Sequence, residues 1–523
     1  MKKQVFILLA ALMLVFLGMA CAGAEILSAA DLNDSDVKAG LSMGSAAEAA
    51  MREEAPKAVI EYYTDNFLGY TAVAQGKLDA YIYDLAQMER AIRSGQTGVR
   101  LLPETMRYTV KIVVGVSPVS HIPDLTEKVN QFIREAREAG TLDDMYQRWV
   151  LTDSPKMPEI ALPEKPAYQL IVGTTGTVPP YSYYEGGGLT GYDIELAYRF
   201  AAWLGAGLKF DLYDFGSIVP AAGAGKIDLA MSNLQYLPER SESGSMLFSD
   251  VLFEEKLGIM VRDGQAAQEQ AGAASGYTAL DQLDGIVSSF NKTFLREDRW
   301  RLFAEGVLNT LIITALSILC GTALGFGVFM LCRKGNPFAN GVTRFAMWLV
   351  QGTPMVVLLM ILYYIIFGSM AISGILVAVI GFSLTFGSSV FGLLKMGVGA
   401  VDGGQYEAAC ALGYSSRRTF FRIILPQALP HVMPAYKGEI IGLIKATAIV
   451  GYIAVQDLTK MGDIVRSRTY EAFFPLIAVT VIYFLLEALI GFLFNRLSAR
   501  LNPRNRSAEK ILKGIKTSDE LKV

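Results

Sequence analysis

Five long apolar segments in the second half of the chain constrain its fold more than any other feature. They lie at about residues 304–331, 345–367, 371–394, 438–455 and 472–494. Each approaches the roughly 20 residues that a helix needs to cross the hydrocarbon core of a bilayer. Because lipid offers no hydrogen-bond partners to an open backbone, these segments predict an all-α membrane domain with five transmembrane helices.

Composition places a soluble part beside this membrane part. Hydrophobic residues make up 52% of the 523 residues, and a chain of this length exceeds what one core can organise. The net charge of −3 argues against a nucleic-acid partner. Of the four cysteines only Cys21 precedes the apolar segments, so no disulfide framework is expected.

The first 24 residues have the pattern of a secretory signal peptide. Lys2 and Lys3 precede an apolar run, and small residues follow up to Ala24. Cleavage after Ala24 fits a small-residue site, while lipidation of Cys21 is the alternative. With the N-terminal part outside, five crossings place the basic residues after the first and fifth spans in the cytoplasm, as the positive-inside rule requires.

A charged stretch, EAACALGYSSRRTFFRIILP at residues 407–426, interrupts the apolar segments. Its arginines cannot lie in lipid as they stand, so it predicts a structured loop at a membrane surface. Gly413 can adopt the positive φ that ends one helix, and Ser415 and Ser416 offer an N-cap for the next. Pro426 and Pro430 are expected to end that second helix.

This stretch resembles the EAA loop of ABC importer permeases. The residues that carry the resemblance are Glu407, Ala408, Ala409, Gly413, Ile423, Leu425 and Pro426. In that family the loop docks in a groove of a separate cytoplasmic ATPase, and the resemblance implies the same role here. It also implies a homodimer of this chain working with an ATPase homodimer. The segments QGTP from residue 351 and IKATAIV from 444 resemble the amino-acid branch of these permeases.

The chain contains no GxxxxGK[ST] sequence. The cradle of backbone amides that this motif builds around the phosphates of ATP is therefore not expected, and ATP hydrolysis falls to a partner chain. The chain is predicted to be a transporter subunit and not an enzyme, with no cofactor and no metal.

The part before the membrane alternates strand-like and helix-like segments, which predicts an α/β fold. Residues 72–84 and 221–233 echo one another, each a helix that ends at glycine before a strand that opens with aspartate. Two similar lobes are implied, and two lobes form a cleft that can close around a small ligand.

Two ranges resemble amino-acid solute-binding proteins, in reversed order. Residues 168–262 resemble the first half of that family, and residues 31–150 resemble the second half. A circular permutation is inferred, with two truncated copies that pair between subunits as the alternative. The predicted domains are a signal peptide (1–24), lobe 2 with C-terminal helices (25–150), a Pro-rich linker (151–167), lobe 1 (168–265), a linker and pre-membrane segment (266–302), the permease domain (303–497) and a cytoplasmic basic tail (498–523).

The resemblance to solute-binding proteins implies a set of ligand-binding residues. Asp84 matches the ammonium-binding aspartate and Arg240 matches the carboxylate-binding arginine. Ser45 falls where lobe 2 donates hydrogen bonds to the carboxylate near a helix N-terminus. Asn233 and Gln235 match positions that line the ligand, and Phe215 matches an aromatic wall of the site. The family's usual acid and aromatic residue correspond here to Thr175 and Val178, so Tyr181 is proposed as a substitute ring face.

Lys445 and Glu487 stand inside predicted spans, where an isolated charge is costly. They are expected to pair with one another or to line the translocation route, while snorkelling of Lys445 to an interface is the alternative.

The leading interpretation is a fused importer subunit of the bacterial cytoplasmic membrane. It would combine an extracytoplasmic amino-acid receptor with a permease, in contact with membrane lipid. A ligand-gated channel or sensor is an alternative, since similar lobes also occur on channels. An extracytoplasmic enzyme is a third, for which His121 is the histidine available in the soluble part. The sequence does not specify which amino acid is bound.

Overall fold

A computed structural model describes residues 26–42, 44–63, 65–152, 156–237, 244–264, 286–333, 335–368, 370, 372–469 and 474–501. The predictions for the signal peptide, Cys21, Arg240 and the tail beyond residue 501 lie outside the described residues. The chain divides into two compact units, which are described separately. The first comprises Met1–Phe303, Gly368–Ala371 and Met461–Leu476, and the second Ala304–Phe367, Ile372–Lys460 and Ile477–Val523.

The first unit contains a six-stranded sheet, called sheet A. Its order is β2-β1-β3-β14-β4, with β5 paired to β14. The strands are β1 (Lys38–Ser42), β2 (Val59–Tyr63), β3 (Ala80–Asp84), β4 (Val99–Leu101), β5 (Thr109–Ile112) and β14 (Phe253–Arg262). Strands β1, β2 and β3 run parallel, whereas β14 runs antiparallel to its neighbours.

A five-stranded sheet, called sheet B, has the order β11-β7-β12-β6-β13. Its strands are β6 (Gly115–Val116), β7 (Tyr168–Thr174), β11 (Ala206–Leu212), β12 (Leu229–Ala230) and β13 (Leu247–Phe248). A small antiparallel sheet lies beside these in the chain and consists of β8 (Thr177–Val178), β9 (Ser182–Glu185) and β10 (Gly188–Thr190).

Among the residues described up to 264, seven α-helices complete the two α/β lobes. They are α1 (Ala47–Glu54), α2 (Asn66–Ala74), α3 (Leu85–Arg93), α4 (Leu125–Glu138), α5 (Thr141–Trp149), α6 (Tyr192–Leu204) and α7 (Phe215–Gly223). Local chemistry sets their ends: Asp65 accepts a hydrogen bond from the Phe67 amide at the start of α2, and Gly140 has a φ of 72° between α4 and α5. The predicted two-lobed α/β fold is confirmed.

The chain crosses between the two sheets twice. Strand β14 follows β13 of sheet B but lies in sheet A, where Leu257 pairs with Asp84. Strand β6 follows β5 of sheet A but lies in sheet B, where Val116 pairs with Leu229. The sheets therefore do not coincide with residues 25–150 and 168–265, and the predicted domain boundaries stay a prediction. Near its start the described chain also contacts the loop after β4, since the Ala29 amide donates to Glu104 Oε2 at 2.9 Å.

Within the first unit, residues from 461 onward pack against elements near sheet B. Met461 and Ile464 are fully buried in a small apolar cluster with Leu212. Arg466 lies in the same segment, is buried, and pairs with Asp65 at 2.7 Å and with Asp463 at 2.9 Å. This segment belongs to a helix, Leu458–Thr469.

The helices of the permease range are α8 (Trp300–Cys332), α9 (Pro337–Gly352), α10 (Met355–Met360), α11 (Gly374–Gly399), α12 (Gly404–Ala411), α13 (Ser416–Thr419), α14 (Leu425–Ala446), α15 (Leu458–Thr469) and α16 (Phe474–Leu501). Three of them, α8, α11 and α16, are long and apolar enough to cross a membrane. Up to five spans result if each of two bent helix pairs counts as one.

Two of the five predicted spans correspond to bent helix pairs and not to single helices. The second breaks after Gly352, where α9 and the helix from Met355 to Ile366 meet at 108°. Thr353 and Pro354 adopt extended conformations there, because proline disfavours a helical residue before it and cannot donate a hydrogen bond within a helix. The fourth, predicted at 438–455, starts at Leu425 and ends in a 3₁₀ turn at Thr447–Ile453.

The prediction that Pro426 and Pro430 end a helix is wrong. Pro426 lies in the first turn of α14, where a missing N–H costs no intrahelical hydrogen bond, and Pro430 and Pro434 lie inside the same helix. A π-helical turn at Phe420–Ile424 joins α13 to α14. The two pieces therefore run on as one helical segment.

Small residues let α8 and α11 approach closely. A methyl group added at Gly325 would lie 2.4 Å from the Gly387 carbonyl oxygen and 2.8 Å from Val390 Cβ. At Gly327, two residues along the same helix, it would meet nothing within 4 Å. Close approach of backbones at glycine is a common way for membrane helices to associate.

Gly325→Val is expected to destabilise the membrane part, and Gly327→Val is the matched control. Both changes place a β-branched residue in one helix, but only the first forces α8 away from α11. Overpacking of this kind typically costs about 1–3 kcal/mol. The measurement is the thermal unfolding midpoint of each purified variant in detergent. Equal midpoints for the two variants would contradict the packing described.

Candidate functional site

Asp84 joins sheet A to the loop that follows β12. It is the last residue of β3 and the N-cap of α3, where its Oδ1 accepts a hydrogen bond from the Gln87 amide at 3.2 Å. Its Oδ2 accepts a second bond from Asn233 Nδ2 at 2.9 Å. The side chain is only 1% exposed. A carboxylate therefore lies buried between the two lobes with neutral partners.

Asn233 holds a second buried carboxylate on its other side. Its backbone amide donates to Asp193 Oδ2 at 2.6 Å, and its φ of 51° is left-handed. Asparagine tolerates that conformation better than most residues. Asp193 lies in the first turn of α6, where the helix N-terminus favours negative charge. Burial raises the pKa of Asp84 and that of Asp193 to about 6.

Gln235 lies close to Ser45 through the residue that follows it. Gln235 Oε1 accepts a hydrogen bond from the Ala46 amide at 2.5 Å, so the loop after β12 reaches the N-terminus of α1. Ser45 precedes that amide and is buried, and its Oγ has no hydrogen-bond partner among the described residues. Gln235 Nε2 likewise has none there.

The other predicted ligand residues have different surroundings. Phe215 is the first residue of α7 and is partly buried. Tyr181 is fully buried: its ring stacks on Phe253, and its hydroxyl donates to Glu255 Oε1. Its ring is thus part of the core, although its hydroxyl reaches toward β14. The ligand-binding roles of these residues stay predictions.

Three buried polar residues near Asp84 were missed by the sequence reasoning. They are Gln87 and Arg90 of α3, and Glu255 of β14. Arg90 Nη2 donates to the Tyr183 hydroxyl at 3.3 Å, and its guanidinium lies 5.3 Å from the centre of that ring. The signal that could have found Glu255 is the alternation of the strand, which places it on the same face as the apolar residues Phe253 and Leu257.

A second candidate site is the loop at residues 407–426, in the second unit. It forms the predicted helix–turn–helix: α12 ends at Ala411, Gly413 has a φ of 76°, and Ser415 Oγ accepts from the Arg418 amide at 3.5 Å as N-cap of α13. All residues from 410 to 418 are exposed. Leu412 is the most exposed apolar side chain among them, at 76%.

The buried side of this loop fixes it to the helices of its own unit. Ala409 is 1% exposed, and Phe420 and Ile424 are fully buried. The guanidinium of Arg333, at the end of α8, lies 4.1 Å from the centre of the Phe420 ring, a cation–π contact. The loop therefore has one anchored face and one free face.

Lys445 and Glu487 form an ion pair, with Lys445 Nζ 2.8 Å from Glu487 Oε2. Pairing lowers the cost of two charges placed within candidate spans. A role in the translocation route stays a prediction.

Known proteins resemble the membrane part most clearly. Residues 293–507 match the family described as binding-protein-dependent transport system inner membrane component. A Rickettsia bellii protein described as a glutamine transport system permease is 34% identical over 203 residues, which covers 38% of this chain and 91% of that protein. The arginine transport system permease of Bacillus subtilis is 33% identical over 204 residues, or 38% of this chain and 91% of that one. A solved amino acid ABC transporter structure is 30% identical, covers 40% of this chain and 98% of its own, and has a TM-score of 0.37.

The two raised carboxyl pKa values predict a pH dependence. Between the usual pKa of 3.8 and about 6 the folded protein holds more protons than the unfolded chain. The free energy of unfolding therefore falls as pH rises from about 4 to about 6, and stays lower above that. Asp193→Asn should reduce this fall by about 1–3 kcal/mol, since one pKa unit corresponds to about 1.4 kcal/mol.

The measurement is the thermal midpoint of the ligand-free protein at pH 4.5 and pH 7. Exposed Asp36 supplies the control, as Asp36→Asn should behave like the wild type. A pH response of Asp193→Asn identical to that of the wild type would contradict the prediction.

Proposed function

Because the chain belongs to the family of binding-protein-dependent transport system inner membrane components, we propose that it is the permease subunit of an ABC importer for amino acids that carries its own binding domain. It is not an enzyme itself. ATP hydrolysis would be the task of a separate cytoplasmic ATPase, engaged through the loop at residues 407–426.

One observation carries the binding role: the carboxylate of Asp84 is buried between two lobes with no cationic partner among the described residues. A buried carboxylate is costly unless a cation neutralises it. The α-ammonium group of an amino acid is such a cation. The Asn233 amide already binds Asp84 from the other lobe, so a ligand on Asp84 would hold the lobes closed.

The partner for the α-carboxylate would lie near Ser45. Its buried hydroxyl has no partner in the described part of the chain, and the residue stands two positions before the first residue of α1, where a helix N-terminus attracts anions. Arg240, outside the described residues, is proposed as the cation that completes this end. The two substrates named for the relatives, glutamine and arginine, are both amino acids and support the ligand class.

The coupling role is supported by the loop at residues 407–426. A helix–turn–helix anchored on one side by Phe420 and exposed on the other presents a rigid surface, which suits a partner that moves against it. We propose that two copies of the chain meet two ATPase subunits in the cytoplasmic membrane. The binding domain would then face outward and the loop inward.

Asp84→Asn should weaken amino-acid binding about 10- to 100-fold. The change keeps the shape of the side chain but removes the charge that pairs with the ammonium group, and a charge-assisted hydrogen bond contributes about 1.5–3 kcal/mol. The measurement is titration calorimetry on the full chain in nanodiscs with a panel of amino acids. Asp144→Asn, at an exposed position of α5, is the control and should bind like the wild type. A wild-type protein that binds no amino acid would refute the binding role.

Leu412→Asp should prevent docking of the ATPase while leaving ligand binding unchanged. A charge at this exposed apolar position would be desolvated in an interface, at a cost of several kcal/mol. The matched control is Leu151→Asp, the same change at an exposed leucine outside the loop. The readout is co-purification of the ATPase and its ligand-stimulated ATP hydrolysis. If ligand stimulates ATP hydrolysis by the Leu412→Asp variant as strongly as by the wild type, the loop does not couple the chain to the ATPase.

A further inference from the structure

Three buried side chains beside Asp84 have polar atoms that nothing in the described part of the chain satisfies. Gln87, Arg90 and Glu255 are 6%, 8% and 5% exposed. The unsatisfied atoms are Gln87 Nε2, Arg90 Nη1 and Glu255 Oε2. Each buried polar atom left without a partner costs about 1–3 kcal/mol, so three in one region require an explanation.

The fold places the three residues around the end of strand β3. Helix α3 starts directly after Asp84, and Gln87 and Arg90 lie three residues apart, on neighbouring positions of its surface. Glu255 lies two residues before Leu257, which pairs with Asp84 across the sheet. Residues two apart on a strand share a face, so Glu255 and Asp84 point to the same side of sheet A.

Two tyrosines from the other lobe close this group. Tyr181 and Tyr183 lie two residues apart around the start of β9. The Tyr181 hydroxyl donates to Glu255 Oε1, and the Tyr183 hydroxyl accepts from Arg90 Nη2. Each charged residue thus has one atom held by a tyrosine and a second atom left over. Glu255 and Arg90 form no ion pair with one another in the described structure, so the leftover atoms are available to a third group.

The leftover atoms are two donors and one acceptor. We propose that they form a subsite for the ligand side chain, and that this side chain ends in a carboxamide. Its carbonyl oxygen would accept from Gln87 Nε2 and Arg90 Nη1, and its amino group would donate to Glu255 Oε2. The inference rests on the proposed function, because Asp84 would hold the ammonium group of the same ligand.

Other side chains match this set less well. A carboxylate would satisfy the two donors but would bring a negative charge against Glu255. An ammonium or guanidinium group would satisfy Glu255 but would meet the positive charge of Arg90. An apolar side chain would leave all three atoms buried and unsatisfied, and sites built for hydrogen bonding reject such ligands strongly.

The test is whether Glu255→Gln changes the protein's preference for carboxamide over carboxylate ligands. Purified full-length protein in nanodiscs is titrated with glutamine, asparagine, glutamate, aspartate and lysine. The wild type should bind one of the carboxamides at least 10-fold tighter than the carboxylate of equal length. Glu255→Gln keeps an oxygen for the Tyr181 hydroxyl but replaces the acceptor with a donor. It should therefore shift this ratio at least 10-fold toward the carboxylate.

Glu254→Gln is the control, because Glu254 is exposed and adjacent on the same strand. It should leave the ratio unchanged. Asp84-dependent binding with a preference for charged or apolar side chains would overturn the subsite and leave the proposed function standing, as would an equal loss for all ligands in Glu255→Gln. A wild type that binds no free amino acid would overturn both. If Glu255→Gln does not fold, the wild-type preference alone decides.

Discussion

The arrangement of this protein's candidate binding site depends on the two places where the chain passes from one sheet to the other. Strand β14 completes sheet A although it follows β13 of sheet B, and β6 does the converse. This exchange sets Asp84 of sheet A opposite the loop that carries Asn233. Without it, the buried Asp84 carboxylate would lose the hydrogen bond that Asn233 donates from the other lobe. Burial would then raise its pKa further and favour the protonated form more strongly.

Local signals in the sequence predicted the loop at residues 407–426 well. The left-handed conformation of Gly413 and the capping role of Ser415 depend only on residues next to them in the sequence, so both could be predicted from the local sequence. The broken helix at Gly352 was harder to predict. Mean hydropathy is averaged over a window of residues and does not report a change in the direction of the helix. Pro354 was the one local signal for a break there. Pro430 gave the opposite error, since tertiary packing retains a helix through it.

The candidate binding site was predictable only at the positions that the resemblance to solute-binding proteins supplied. Asp84 and Asn233 were named from the sequence, and the structure brings them within hydrogen-bond distance. Arg90 and Glu255 were not named, because a charged residue in a helix or strand is most often on the surface. Their burial arises from long-range contacts with Tyr183 and Tyr181, about 90 and 70 residues away in the chain, and no local pattern reports such contacts.

The order in which the chain visits the two sheets has a mechanical consequence. In the described part of the chain, the segment that starts at residue 26 leads into β1 of sheet A. Strand β14 of the same sheet ends at Arg262, and the chain continues from there toward the membrane helices. Along the chain, the segments that enter and leave sheet B connect it to sheet A or to the internal segment at residues 150–167, and not directly to the membrane helices. A pull transmitted along the covalent chain from residue 262 onward therefore loads sheet A first. Its covalent route to sheet B runs through the crossing strands, in addition to the packing of Met461 and Ile464 on Leu212. The strand bearing Glu255 is one of these crossing strands, so the covalent load path runs beside the ligand's proposed position.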